Sequence, residues 1–226
     1  MLTTKRTFLG MVFAVALFSI FGIRNACATT TYDFNLSAPN SAISGYTGPY
    51  VGVHISLNSP GTTATITFTS LTNGGFAYLF GDGSTVALNV NGAFTPSVTS
   101  FSNSGTGFIP GPFVAFGSGQ VDGFGSFNLT ANFFDGFTHS LSSLTLTLTG
   151  NWANASSVLT ANSQGAFAAA HIFVTNSPAN ASNGALATGF AANGGATSVP
   201  EPTTLLLLGS GLAGLGLWRR KKLTSK

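Results

Sequence analysis

Leucine and threonine alternate from Leu144 to Thr149, and this period of two constrains the chain more than any other feature. Leu144, Leu146 and Leu148 fall on one side, and Thr145, Thr147 and Thr149 on the other. A strand sends successive side chains to opposite faces, so such a stretch has one apolar and one polar face. The same pattern sets Ala64, Ile66 and Phe68 against Thr63, Thr65, Thr67 and Thr69, and sets Val51, Val53, Ile55 and Leu57 against Gly52, His54 and Ser56. These read as half-buried antiparallel strands. Further strand candidates are Thr30 to Leu36, Phe76 to Phe80, Thr85 to Val90, Pro112 to Phe116, Ser126 to Phe134 and Ala166 to Thr175. Turn signals fall between them at Asn73-Gly74-Gly75, Asp82-Gly83, Asn91-Gly92, Asp122-Gly123 and Asp135-Gly136. No convincing helix interrupts them and no fixed-period repeat is present. The pattern predicts an all-β domain, an antiparallel β-sandwich of jelly-roll-like type.

Charge separates this domain from its ends. The chain of 226 residues has 8 Lys and Arg against 5 Asp and Glu, a formal charge of +3. Every basic residue nevertheless lies at Lys5, Arg6, Arg24, Arg219, Arg220, Lys221, Lys222 or Lys226. Between Thr29 and Ser198 only Asp33, Asp82, Asp122 and Asp135 are charged, so that region carries 0 − 4 = −4 with histidines neutral. A domain without Lys or Arg does not neutralise phosphates, which disfavours nucleic-acid binding and phosphate-binding enzymes.

The ends read as targeting segments. Lys5 and Arg6 precede an apolar run from Phe8 to Phe21, and Ala26-Cys27-Ala28 places small residues where a signal peptidase cuts. Residues 1–28 are expected to be a signal helix cleaved after Ala28. Cys27 is the only cysteine. Its removal with the signal would leave no thiol for a disulfide, a Cys-based metal site or a nucleophile. The competing lipoprotein reading of Cys27 meets Arg24 where an apolar residue is normally needed. Residues 29–175 are then the sandwich domain, and the Ala-, Asn-, Gly- and Ser-rich stretch 176–198 reads as a flexible linker, within which Ala185 to Ala191 is a candidate last strand.

Residues 199–226 have three parts. Pro200 and Pro202 hold Val199 and Glu201 extended and accessible to a processing enzyme. Thr203 to Trp218 is uncharged, and as a helix would reach about 24 Å, short against a hydrocarbon core of about 30 Å. Arg219, Arg220, Lys221 and Lys222 follow as a stop-transfer block that stays cytoplasmic. An ordinary C-terminal transmembrane anchor that is never processed fits the same hydropathy.

This order, VPEP then a short apolar helix and a basic tail, resembles the PEP-CTERM sorting signal of Gram-negative bacteria, over about the last tenth of the chain. The resemblance implies an exosortase, a membrane protease and transpeptidase, as the partner that reads Pro200, Glu201 and Pro202. It also implies inner-membrane anchoring with the domain on the periplasmic side, then a surface or extracellular location associated with exopolysaccharide. The same C-terminal segment occurs on some ice-binding proteins.

Candidate chemistry in the middle of the chain is sparse. Asp82, Asp122 and Asp135 each precede glycine, which suits either plain turns or a structural calcium site; no other cofactor is expected. His54 falls on the polar face of its strand, and His171, before Ile172, Phe173 and Val174, is expected to be buried and hydrogen-bonded. His139 follows Asp135 by four residues, the orienting half of a triad, yet the chain has no G-x-S-x-G elbow. Tyr46, Tyr50, Tyr78 and Trp152 lie near turns, where they could stack on sugar rings in a lectin-like manner. The threonine rows could instead form an ice-binding array, or simply be outward-facing strand residues. The expected function is that of an exported, non-enzymatic surface or matrix protein. A carbohydrate- or ice-binding module is the alternative, and a hydrolase the third.

Overall fold

The computed structural model describes residues 29–194. The expected signal segment with Ala26, Cys27 and Ala28 lies outside the described residues, as do the sorting segment from Val199 to Pro202, the apolar helix after it and the basic block Arg219 to Lys222. Among the described residues no helix is long and apolar enough to cross a membrane.

The domain is all-β. Its strands are β1 (Thr30–Leu36), β2 (Ala38–Pro39), β3 (Val51–Leu57), β4 (Thr63–Ser70), β5 (Thr72–Asn73), β6 (Phe76–Phe80), β7 (Val86–Leu88), β8 (Thr95–Ser102), β9 (Phe113–Val121), β10 (Gly125–Phe133), β11 (Ser143–Thr149), β12 (Ala168–Asn176) and β13 (Ala187–Ala192). Every pairing between these strands is antiparallel. One sheet has five strands in the order β1-β3-β4-β11-β8. The other has eight, with β2-β13-β12-β7-β10-β9 as its path, and β6 pairs β12 beside β7 and carries β5. The chain passes from the first sheet to the second at Ser37, between β1 and β2.

The alternation in the sequence becomes the layering of the domain. Val53, Ile55, Ile66, Phe68, Leu144 and Leu146 point inward from the first sheet. They share one core with Tyr78, Phe80, Leu88, Leu129, Ile172 and Val174 of the second. Removing this apolar surface from water is the main favourable term holding the two sheets together. The second sheet is also covered on its outer side. Ala87, Phe124, Phe127, Ala166, Ala169 and Ala192 form a smaller buried cluster there. That explains why β12 is buried at nearly every position instead of alternating.

Two stretches differ from expectation. Thr95 to Ser102 forms β8, although Pro96 removes a ladder donor and demotes the stretch as a strand candidate. The conflict resolves because β8 is the last strand of the first sheet, where one row of backbone groups needs no partner. The stretch 176–198, expected as a linker, is instead part of the folded domain through residue 194. The candidate last strand Ala185 to Ala191 is found there as β13, which pairs β12 from Val174↔Ala187 to Ala169↔Ala192. The Asn193 side-chain oxygen then accepts from the backbone N–H groups of Phe167 and Ala168, at 2.8 and 3.0 Å. Its small residues serve close packing. A Cβ at Gly189 would lie 2.6 Å from Oδ1 of Asn40 and 3.0 Å from Ile43.

Candidate functional site

The outer face of the five-stranded sheet is almost entirely hydroxyl-bearing, and strand register turns its separate polar stripes into rows. One row runs Asp33, His54, Thr67, Thr145 and Ser100 across β1, β3, β4, β11 and β8. The next runs Asn35, Gly52, Thr69, Ser143 and Ser102. In the middle of the face the hydroxyls satisfy one another. Thr67 and Thr145 are linked at 3.2 Å, and Thr99 and Thr147 at 2.7 Å. Such cross-strand pairs stabilise a sheet modestly.

Asp33 and His54 are the titratable pair on this face. Nδ1 of His54 donates to Oδ1 of Asp33 at 2.6 Å, because a carboxylate only accepts. Both side chains stay open to solvent, 70% exposed for Asp33 and 48% for His54. Beside them, Gly52 leaves a notch of about 300 Å³, walled by Asp33, Asn35, His54 and Thr69. Thr69 also borders a larger groove of about 520 Å³, which runs past Ser102, Ser104, Thr106 and Ser143 toward Ser177. Most of the groove's lining carries hydroxyl or amide groups, and none of it is ionisable.

A second polar cluster lies on the outer side of the eight-stranded sheet. Asp82 and Ser84 hold φ of 60° and 54°. The turn at Asp82-Gly83 thus places its left-handed residues on either side of the glycine. Oδ1 of Asp82 accepts from the Gly136 N–H at 2.6 Å, and its Oδ2 lies 3.9 Å from Nδ1 of His171. The His171 ring stacks on Phe190 at 4.5 Å, and its Nε2 pairs with the Thr188 hydroxyl at 2.9 Å. Burial pushes the His171 pKa below the usual imidazole value. Asp82, the backbone bond at Gly81 and Asp135 act in the opposite direction without overcoming it. The expectation of a buried, hydrogen-bonded histidine is met in part: the ring is half-buried and bonded at Nε2, whereas Nδ1 is buried without a hydrogen-bond partner, with the Asp82 carboxylate 3.9 Å away.

The remaining candidates are dispersed. Asp122 sits in the β9–β10 turn and accepts from Nδ2 of Asn40 at 2.9 Å. Asp82 and Asp135 lie at the other end of β10, so the three aspartates do not converge. Among the described residues no group of three or more His, Cys, Asp or Glu is arranged to hold a metal ion. His139 does not pair with Asp135; its Nδ1 donates to the Ile109 carbonyl at 2.7 Å. Of the four candidate sugar-stacking aromatics only Tyr46 is half-exposed, packed edge-on against Phe76 at 5.0 Å; the other three turn inward. Tyr50 and Tyr78 are completely buried and Trp152 is 5% exposed. The Tyr50 hydroxyl donates to the Tyr46 carbonyl, the Tyr78 hydroxyl to that of Thr47, and the Trp152 indole to that of Asn91. Burial raises both tyrosine pKa values, each helped by a neighbouring tyrosine. These rings are core residues with satisfied polar ends.

Chemistry inside the described domain is thus limited to a hydroxyl-rich face and dispersed carboxylates, and the clearest functional signal lies beyond it. Residues 198–221 match the PEP-CTERM protein-sorting motif. The match spans Val199, Pro200, Glu201 and Pro202 at one end and Arg219, Arg220 and Lys221 at the other; Lys222 falls one residue past it. A PEP-CTERM motif marks an exported protein that associates with the membrane and is processed by an exosortase. No family model matches the domain before the motif. No curated protein and no solved structure matches the chain.

Proposed function

We propose that the folded domain is a non-enzymatic component of the cell surface or extracellular matrix. It is held at the inner membrane on the periplasmic side until an exosortase acts on its tail, and afterwards lies against exopolysaccharide. The observation that carries this reading is the PEP-CTERM motif at residues 198–221, joined to a domain without a basic residue between Thr29 and Ser198. Recovery of the protein from cells, followed by intact-mass and terminal sequencing, tests it. The expected product begins after Ala28 and ends near Pro202, and Glu201→Ala should accumulate the longer, membrane-bound form. A protein that keeps Arg219 to Lys226 whatever residue stands at 201 is a plain anchored protein, and recovery only from the cytosol refutes export.

A binding role for the five-stranded sheet is the second reading, and the in-register hydroxyl rows favour it. A carbohydrate or an ice surface would meet that face. Thermal-hysteresis measurement separates the two, because a flat ice contact requires a regular face without the Gly52 notch.

A further inference from the structure

We infer that the Gly52 notch and the adjoining groove form one binding track for a neutral glycan chain. The inference deepens the surface role proposed above and rests on it for the place where the glycan is met. Three observations carry it. First, the cavities are contiguous, since Thr69 lines both. The row that joins them crosses five strands, which at about 4.8 Å between neighbours spans roughly 19 Å. An extended oligosaccharide fits that length better than a single small molecule does.

Second, four hydroxyls along the track are unengaged, whereas the Ser142 hydroxyl in the same groove accepts from the Ser104 N–H and donates to the Ser102 carbonyl, and part of the neighbouring face is self-paired. Thr67 and Thr145 bond each other, as do Thr99 and Thr147. The hydroxyls of Thr69, Ser102, Ser104 and Ser143 have no protein partner among the described residues. Oδ2 of Asp33 and Nε2 of His54 are likewise free, because the pair uses only the other oxygen and nitrogen. With Nδ1 of His54 carrying the hydrogen given to Asp33, both the free carboxylate oxygen and Nε2 are acceptors for adjacent sugar hydroxyls. Third, the charge selects the ligand. The region from Thr29 to Ser198 is −4 without a cation, and Asp33 is the only acid in the track. An anionic polymer is repelled and a neutral one is not. Among the described residues Phe34 is the one aromatic side chain lining the track, so each site binds weakly and retention on a matrix comes from many copies.

The test uses the full-length protein in detergent on immobilised dextran and cellulose, with alginate as the anionic comparison. Retention on a neutral glucan and none on alginate is expected. Gly52→Ala narrows the notch without a clash, because a Cβ there meets Asn35, Leu71 and Thr69 at 3.6 to 3.9 Å, ordinary contact. Ser104→Lys obstructs the groove from an exposed position. Each should weaken retention by about tenfold, the effect of losing one or two hydrogen bonds. Thr149→Ala, off the track, should not, and equal melting temperatures would confirm that all the variants fold. Loss in only one of the two track variants overturns a single chain spanning both cavities. No retention on either glucan, or retention on alginate alone, overturns the ligand class, as does thermal hysteresis without retention. None of these results touches the surface location, which the terminal analysis decides separately.

Discussion

The outer faces of the two sheets arise from neighbouring strands of one domain and meet opposite fates. On the five-stranded sheet, Thr65, Thr67, Thr145 and Thr147 stay half exposed among the described residues. On the eight-stranded sheet, Ala87, Phe127 and Ala169 are buried, and Phe173 and Phe190 pack around His171. The contrast shows where stability and recognition are separated. Covered surface contributes to folding, and bare hydroxyl surface is left for contact with something outside the chain.

Substitution on the two faces gives the largest contrast. Phe127→Ala should destabilise the protein by about 3 to 5 kcal/mol in urea denaturation, the usual result of emptying an aromatic site. Thr65→Ser on the bare face should stay within about 0.5 kcal/mol. Similar effects at the two sites would break the comparison. Asn193→Ala should cost about 1 to 3 kcal/mol, because two buried backbone donors lose their acceptor. A negligible effect there would mean that the chain beyond β12 adds little to the covered side.

Acid should distinguish the faces next. The pKa of His171 is lowered in the folded state, so the unfolded chain binds more protons as the pH falls. The contribution of neutral His171 to stability is therefore intact above about pH 6.5 and is lost as the pH drops toward the lowered folded value. Asp82 and Asp135 face the ring and moderate the loss. His171→Phe should flatten melting temperature against pH across that window, and an unchanged profile would remove His171 as its cause. The smallest effect belongs to the bare face. A double-mutant cycle with Thr67→Val and Thr145→Val should return a coupling of about 1 kcal/mol or less for their hydroxyl contact.

Much of this layering is legible in the sequence. The period of two in Thr63 to Thr69 and Leu144 to Thr149 fixed which side chains face the core, since a one-residue slip would expose all the leucines. Pro96 concealed β8, because its tolerance depends on an edge position that no local pattern reveals. Gly and Ala left β13 as one of two readings for a related reason: the composition of a flexible linker is also that of a strand packed closely against Asn40 and Ile43, and only the second reading, Ala185 to Ala191 as a last strand, is met. Tyr50, Tyr78 and Trp152 turn inward, which an aromatic near a turn does not reveal, because its position in sequence does not show which way the ring points. Of the binding face, the threonine rows were visible, but the notch was not. Gly52 and Asn35 meet only through the β1–β3 register.

By itself the sequence determined the delivery route and the class of fold. Both depend on local order: a tripartite tail recognised as a linear motif, and an alternation that commits each strand to one buried side. Only the tertiary structure decided which polar residues act together. Asp33 with His54, and Thr69 with Ser143 and Ser102, come from strands far apart in the chain. Antiparallel register brings them into adjacent rows, and long-range pairing of this kind leaves no trace in any one segment.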